Sequence, residues 1–290
     1  MCDTLPTCQR LSPVVEWGGA EVLPFRDMTH ETAFLGASTP LGRYWTKRRF
    51  FDYLIDKENF RLTFGHSFRM MVYLDNAIAN GPDAVRKDPE ADTHATNYLI
   101  HHLADIKPEF TVFVTTCDML ADDADENTPV LQTSDDPYVL NRINLYHELN
   151  RQYGRVLNVH LSEVFSGENR GFSSLVDAIM EPPAGGEPLP FAPLEQHQLY
   201  FTQRIMGDVE RCIPLGISSI IPAMPPLTTT EIVEALAPDL LGRLPDPRPE
   251  DPVGSRRKSI HSFQWLDPKD GYLVTREDQL ELLRFFFQTR

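Results

Sequence analysis

The stretch Thr32-Ala33-Phe34-Leu35-Gly36-Ala37-Ser38-Thr39-Pro40-Leu41-Gly42 decides how the rest of the chain is read. Ala33-Phe34-Leu35 is a short apolar run with the length of a buried strand, and the residues beyond Gly42 have helical spacing that is expected to continue to about Ile55. Between the two, Gly36, Thr39 and Gly42 occupy the three positions of a Gly-x-x-Gly-x-x-Gly turn. Such a turn aims backbone N–H groups and a helix N-terminus at one point, where their partial positive charge favours a pyrophosphate. Gly36, Ser38, Thr39, Leu41 and Gly42 are therefore the candidate cofactor contacts. Thr39 replaces the middle glycine, so the same residues also fit a plain strand-to-helix turn.

Downstream the pattern repeats. Phe60 to Phe64 is read as a second strand and Phe68 to Ala79 as a second helix; residues 80–93 are polar and rich in Pro and Gly, a loop. Ala95 to Ile106 has helical spacing, and Phe110 to Thr116 is a continuous apolar and β-branched strand. An acidic loop, Ala121 to Asp136, leads to a helix from Tyr138 to Tyr153, a strand from Arg155 to Leu161 and a helix from Phe172 to Met180. Strands alternating with helices imply a parallel sheet covered on both faces. From Glu181 to Pro193 the chain turns Pro- and Gly-rich. After it come a strand-like Gln198 to Thr202, a helix around Asp208, an apolar Ile217 to Ile221, and a helix opened at Thr228, where Thr228 and Glu231 form a capping box. Residues 1–30 lack periodicity and read as an arm or an extra edge element laid on the domain.

A dinucleotide site of this type places an acidic residue after the second strand to hold the adenosine ribose. The corresponding place, Gly65 to Arg69, offers no carboxylate; Arg69 could instead accept a 2′-phosphate, or simply be a surface residue. A second cluster joins Thr116, at the end of its strand, to Tyr138 and to Arg142 one helical turn further on. A cation beside a phenol favours the phenolate, and a hydroxyl across the site shares the proton of a substrate oxygen. Arg is a planar fork rather than a compact ammonium, so it need not serve as a Lys would.

With these residues in view, the chain resembles the extended short-chain dehydrogenase/reductases of the nucleotide-sugar epimerase/dehydratase kind. Phe113-Val-Thr-Thr-Cys-Asp-Met-Leu-Ala-Asp122 is similar to the family strand that ends in Ser/Thr pairs, and Asp135-Asp-Pro-Tyr-Val-Leu-Asn-Arg-Ile-Asn-Leu-Tyr-His-Glu-Leu149 to its catalytic helix. Gly154 to Gly167, Gln198 to Thr202, Leu227 to Ile232 and Trp265-Leu-Asp-Pro268 continue the likeness. The resemblance implies an α/β fold: a Rossmann-like doubly wound parallel sheet over residues 31–180, and a smaller C-terminal substrate lobe over residues 181–290 that returns elements to the sheet. It also implies NAD or NADP as cofactor, Thr116, Tyr138 and Arg142 as catalytic residues, a nucleotide sugar as substrate, and Glu163 and Gln198 at substrate-binding positions. A homodimer through the tyrosine helix would bring Ile143, Leu145 and Leu149 to an interface, where they could equally be core.

Several departures from the family fall on functional positions: Thr39 for Gly, Arg142 for Lys, Gln198 for Arg, Glu163 for Asn, and Leu120-Ala121 for Tyr-Gly. Two readings therefore stand side by side. One is an NAD(P)-dependent enzyme; the other is a binding or assembly module that has kept the fold and lost the chemistry. A third, an α/β hydrolase, would use Ser38 or Ser67 in a Gly-x-Ser turn with His261 as base, but neither turn has the Gly-x-Ser-x-Gly form.

Bulk properties bound these readings. The 290 residues are 41% hydrophobic and 24% charged, enough for a large core. A formal charge of −15 argues against nucleic acid or anionic membranes as partners, and Lys47-Arg48-Arg49 reads as a solvated helix face. Cys2, Cys8, Cys117 and Cys212 have no zinc or disulfide spacing, and His94, His101, His102 and His147 no metal spacing, so no metal is expected. No apolar leader or membrane-length run occurs, which points to the cytoplasm.

Overall fold

The computed structural model describes residues 31–165, 174–248, 254–255, 260–262, 265–266 and 268–288; the arm expected over residues 1–30 lies outside them. The strands in chain order are β1 (Thr32–Leu35), β2 (Tyr53–Ile55), β3 (Ser67–Phe68), β4 (Met70–Leu74), β5 (Lys107–Pro108), β6 (Thr111–Thr116), β7 (Val156–Leu161), β8 (Glu163–Phe165), β9 (Glu195–His197), β10 (Leu199–Phe201), β11 (Ser219–Ile220), β12 (Leu227–Thr228) and β13 (Gly254–Ser255). The helices are α1 (Pro40–Thr46), α2 (Asn76–Asn80), α3 (Pro82–Arg86), α4 (Pro89–His102), α5 (Pro137–Gln152), α6 (Ser174–Met180), α7 (Ile205–Cys212), α8 (Thr229–Leu236) and α9 (Arg276–Gln288).

Six strands form the central sheet in the order β11-β7-β6-β4-β1-β2, and every neighbouring pair is parallel. Because side chains alternate along a strand, two cores result. Phe34, Val72, Val112, Val114 and Val159 pack on one face with Leu41 and Trp45 of α1 and with residues of α6 to α8. Ala33, Leu35, Met71, Tyr73 and Phe113 pack on the other with Leu99 of α4 and Leu145 and Leu149 of α5. The sheet is thus doubly wound, and its buried strands read as the near-continuous apolar runs expected of parallel sheets. Ile143, Leu145 and Leu149 are all buried within the chain. Among the described residues, no helix is long and apolar enough to cross a membrane.

Numbered by appearance in the chain, the order is 2-1-3-4-5-6. A sheet of two complete mononucleotide-binding halves reads 3-2-1-4-5-6; among the described residues one strand, not two, lies beyond β1. The segment between β2 and β4 carries a short 3-10 turn at Phe60–Thr63 and the two-residue β3, which pairs with β5. Four sequence expectations are corrected. The first helix stops at Thr46 and the second strand is Tyr53–Ile55; Phe60 to Phe64 is not a strand; Phe68 to Ala79 is mainly the strand β4 followed by the five-residue α2; and residues 80–93, read as a loop, hold α3 and the start of α4. Met70-Met-Val-Tyr-Leu74 is an unbroken apolar run with no periodicity to separate strand from helix, and Asp75, which caps α2 through its carboxylate, marks the boundary.

Local signals fixed other elements well. Asp136 caps α5 by accepting from Tyr138 N (3.0 Å), with Pro137 at the first helical position. The capping box at Thr228 and Glu231 is formed in both directions.

Candidate functional site

Gly36 closes β1 with φ +104°, a conformation that side-chain-bearing residues rarely adopt. Its N–H and that of Ala37 donate to Ile55 O (2.9 and 3.2 Å), which ties the turn to the end of β2. A Cβ on Gly42 would lie 1.9 Å from Gly36 O, so only glycine allows this approach of helix to strand. Thr39, at the middle position, caps α1: its hydroxyl donates to Gly36 O (2.7 Å) and accepts from Gly42 N (3.1 Å). Leu41 is fully buried in the core, while Ser38 is exposed and its carbonyl accepts from Arg43 Nη1. The turn has the backbone form of a dinucleotide loop, with a threonine hydroxyl where glycine would leave the backbone open.

Asp56 directly follows β2, about twenty residues after Gly36, the place from which an acidic side chain reaches a ribose in dinucleotide-binding sheets. One carboxylate oxygen, Oδ1, accepts from the backbone N–H groups of Glu58 and Asn59 (3.1 and 3.2 Å). The sequence reading missed Asp56 because it placed the second strand some seven residues too late; the spacing from the glycine turn was the available signal. Arg69 precedes the first residue of β4 and its backbone N–H donates to Glu31 O (3.1 Å). It therefore lies at the N-terminal end of the parallel strands, opposite the glycine turn, and does not meet a 2′-phosphate there.

The second cluster forms at the ends of β4 and β6. Thr116 is buried and its hydroxyl accepts from Asp118 N (3.2 Å). Tyr138, 1% exposed, donates its hydroxyl to Asp118 Oδ2 (2.9 Å). The guanidinium groups of Arg86 and Arg142 lie 4.0 and 4.6 Å from the centre of its ring, within cation–π range.

Arg142 is fully buried and forks onto Asp92, with Nη2 to Oδ1 at 2.7 Å and Nη1 bonded to Oδ2. It reaches Asp75 Oδ1 at 3.3 Å and donates to Tyr138 O at 3.1 Å. Asn141 and Asn76 donate to Asp92 (2.8 and 3.2 Å), and the Thr115 hydroxyl to Asp75 (2.7 Å). Burial alone would weaken the hold of Arg142 on its proton, but Asp75 and Asp92 outweigh it and push the guanidinium further up. Burial likewise works to raise the Asp92 carboxyl, and the Arg142 fork overcomes it to hold that group below its ordinary range. Asp75, Asp92 and Asp118 were not foreseen from the sequence, because they come from three separate segments.

The two substrate-binding positions are internal. Glu163 is buried and pairs with His197 Nδ1 (3.0 Å), whose Nε2 faces the Thr229 hydroxyl (3.2 Å). Gln198 donates to Met224 O and Ile260 O (2.8 and 2.9 Å) and accepts from Ile260 N (2.9 Å), so its amide is spent on joining three segments rather than turned toward a ligand. A cavity of about 510 Å³, also unforeseen, is walled by Leu189, Pro190, Phe191, Ala192 and Pro245, with Asp246 and Arg248 as its charged residues. As for a hydrolase, Gly65 to Ser67 leads into β3 rather than into a helix, and His261 faces Asp123 (3.8 Å).

No family model matches the sequence, and no curated protein matches it. Solved structures do. The dTDP-4-dehydrorhamnose reductase of Yersinia enterocolitica superposes with a TM-score of 0.63 at 12% identity, over 89% of this chain and 100% of that one. The chain has the fold of sugar-nucleotide reductases and epimerases. The NAD-dependent NDP-hexosamine 5,6-dehydratase TunA (TM-score 0.63, 12% identity, 90% and 99% covered) and the UDP-glucose 4-epimerase of Thermus thermophilus in complex with NAD (0.60, 15%, 89% and 98%) have this fold too. The α/β architecture read from the glycine turn outward is therefore correct.

Proposed function

We propose that this chain is an NAD-binding protein on the sugar-nucleotide-modifying fold whose acid–base centre has become part of the framework, so that it acts as a binding module rather than as an oxidoreductase. The observation that carries the proposal is the state of Tyr138. A general acid must come within about 2.6–3.2 Å of the oxygen it protonates. Here the phenol is buried and given to Asp118, and the cation one turn away is consumed by Asp75 and Asp92.

The dinucleotide reading rests on this chain's own residues: the Gly36 to Gly42 turn for the pyrophosphate and Asp56 for the adenosine ribose. A carboxylate at Asp56 repels a 2′-phosphate, which favours NAD over NADP. The opening beside Phe191 and Arg248 has the volume of a small-molecule site, and the nucleotide-sugar class of a second ligand rests on the likeness of fold alone. Bound NAD could accept and return a hydride; the alternative reading, a working enzyme with Thr116, Tyr138 and Arg142 as its catalytic residues, requires Asp118 to release the phenol.

Calorimetric titration with NAD⁺ and NADP⁺ tests the proposal. We expect micromolar NAD⁺ binding, at least tenfold weaker NADP⁺ binding, loss of that discrimination in Asp56→Ala, and loss of both in Gly36→Glu. Preference for NADP⁺, or no binding by the folded protein, would refute it.

A further inference from the structure

One side chain occupies the outer edge of β2. Backbone groups alternate in direction along a strand, so Ile55 O, which accepts from Gly36 N (2.9 Å), faces β1, and the carbonyl of Leu54 faces away from the sheet. No strand pairs with that edge among the described residues. Asn59 returns to it from the turn that follows: its Nδ2 donates to Leu54 O (2.9 Å) and its Oδ1 accepts from Asp56 N (2.8 Å). One amide thus makes the two bonds that a residue of a further parallel strand would make, donating to one residue and accepting from the second residue after it.

The same side chain fixes the carboxylate assigned above to the adenosine ribose. Asp56 Oδ1 accepts from the N–H groups of Glu58 and Asn59 (3.1 and 3.2 Å) while Asn59 takes the N–H of Asp56, so the two residues bind each other's backbone as the partners of a capping box do. Both acceptor sites of Asp56 Oδ1 are thereby engaged, and Oδ2 makes no hydrogen bond among the described residues. Oδ2 is the oxygen left to accept a hydroxyl. A carboxylate already held in one orientation loses little rotamer freedom when a ligand binds, and that saving appears as affinity.

We propose that Asn59 is a positioning residue for the ribose subsite: by holding the edge of β2 to the turn after it, Asn59 presents Asp56 Oδ2 to the adenosine 2′-hydroxyl. The assignment rests on the dinucleotide reading and adds to it the residue that makes Asp56 selective. Asn59 acts through Asp56, so its loss weakens that one contact and leaves the rest of the dinucleotide's binding in place.

Calorimetric titration with NAD⁺ and with its analogue lacking the adenosine 2′-hydroxyl tests the assignment. The ratio of the two affinities reports that contact and cancels the field of the exposed Lys57 and Glu58. The native chain should prefer NAD⁺ by about tenfold or more, the worth of a hydrogen bond to a charged group. In Asn59→Ala the preference should fall by about threefold to tenfold through weaker NAD⁺ binding, with affinity for the analogue and the circular dichroism unchanged. Asp56→Ala should remove the preference, and Asn59→Ala added to it should change the ratio no further. If Asn59→Ala fails to fold, Asn59→Ser, too short to span Leu54 O and Asp56 N together, gives the same comparison. A native preference kept in full by the variant, or an equal loss of both ligands, overturns the role of Asn59 and leaves the dinucleotide reading standing. A folded native chain that binds neither ligand overturns both; one that binds the two alike removes Asp56 as ribose ligand and Asn59 with it.

Discussion

Replacing Arg142 with Ala removes the cation shared by Asp75 and Asp92 and leaves two carboxylates, each with a 2% exposed side chain, without it. Breaking a buried pair costs about 3–5 kcal/mol. Asp92 keeps Asn141 and Asn76 as donors and Asp75 keeps Thr115, which argues for the lower half of that range. With a urea slope of about 3 kcal/mol/M for a chain of this size, the midpoint should fall by roughly 1 M. The loss should depend on pH. The Asp92 carboxyl is held below its ordinary range, so its contribution is fully present above the unfolded pKa and disappears as pH falls through the lowered folded pKa. In Arg142→Ala that acid-labile contribution is already gone, and the acid limb of the stability profile should be shallower than in the native protein. A midpoint shift under about 0.3 M at pH 7, or an unchanged acid limb, would refute the description of Arg142 as a buried ion-pair centre.

Gly42→Ala places a Cβ where Gly36 O lies 1.9 Å away; it should destabilise the fold by more than about 2 kcal/mol and abolish NAD⁺ binding, as measured by thermal melting and calorimetry. Gln198→Leu removes three hydrogen bonds and strands buried backbone groups of Met224 and Ile260, a cost of about 2–4 kcal/mol that urea unfolding would register. If Gln198 served a ligand instead, that substitution would weaken binding and leave stability nearly unchanged.

What could be read from the sequence was whatever is encoded locally. The glycine turn, the capping box at Thr228, and the alternation of apolar strands with helices gave the doubly wound sheet. The first half of the sheet was harder, because Met70 to Leu74 carries no period and Tyr53 to Ile55 is too short to stand out. That shift hid Asp56 and gave Arg69 a role at the wrong end of the strands. Of the three residues expected to meet, Tyr138 and Arg142 are in contact, guanidinium over ring, while Thr116 is linked to Tyr138 through Asp118. Their partners were not legible: Asp75, Asp92 and Asp118 reach the cluster through tertiary packing, and those carboxylates occupy the arginine and the phenol. Glu163 and Gln198 illustrate the same point, since polar residues at positions expected to face a ligand proved to be satisfied inside the protein.

The most direct test of the central claim is the stability of Tyr138→Phe. A phenol that serves the framework by donating to the Asp118 carboxylate contributes about 1.5–3 kcal/mol, so removing it should lower the urea midpoint by roughly 0.5–1 M while NAD⁺ affinity is unchanged. A catalytic tyrosine kept for its chemistry carries the opposite signature. A variant as stable as the native protein, or more so, would contradict the account and return Tyr138 to the acid–base role.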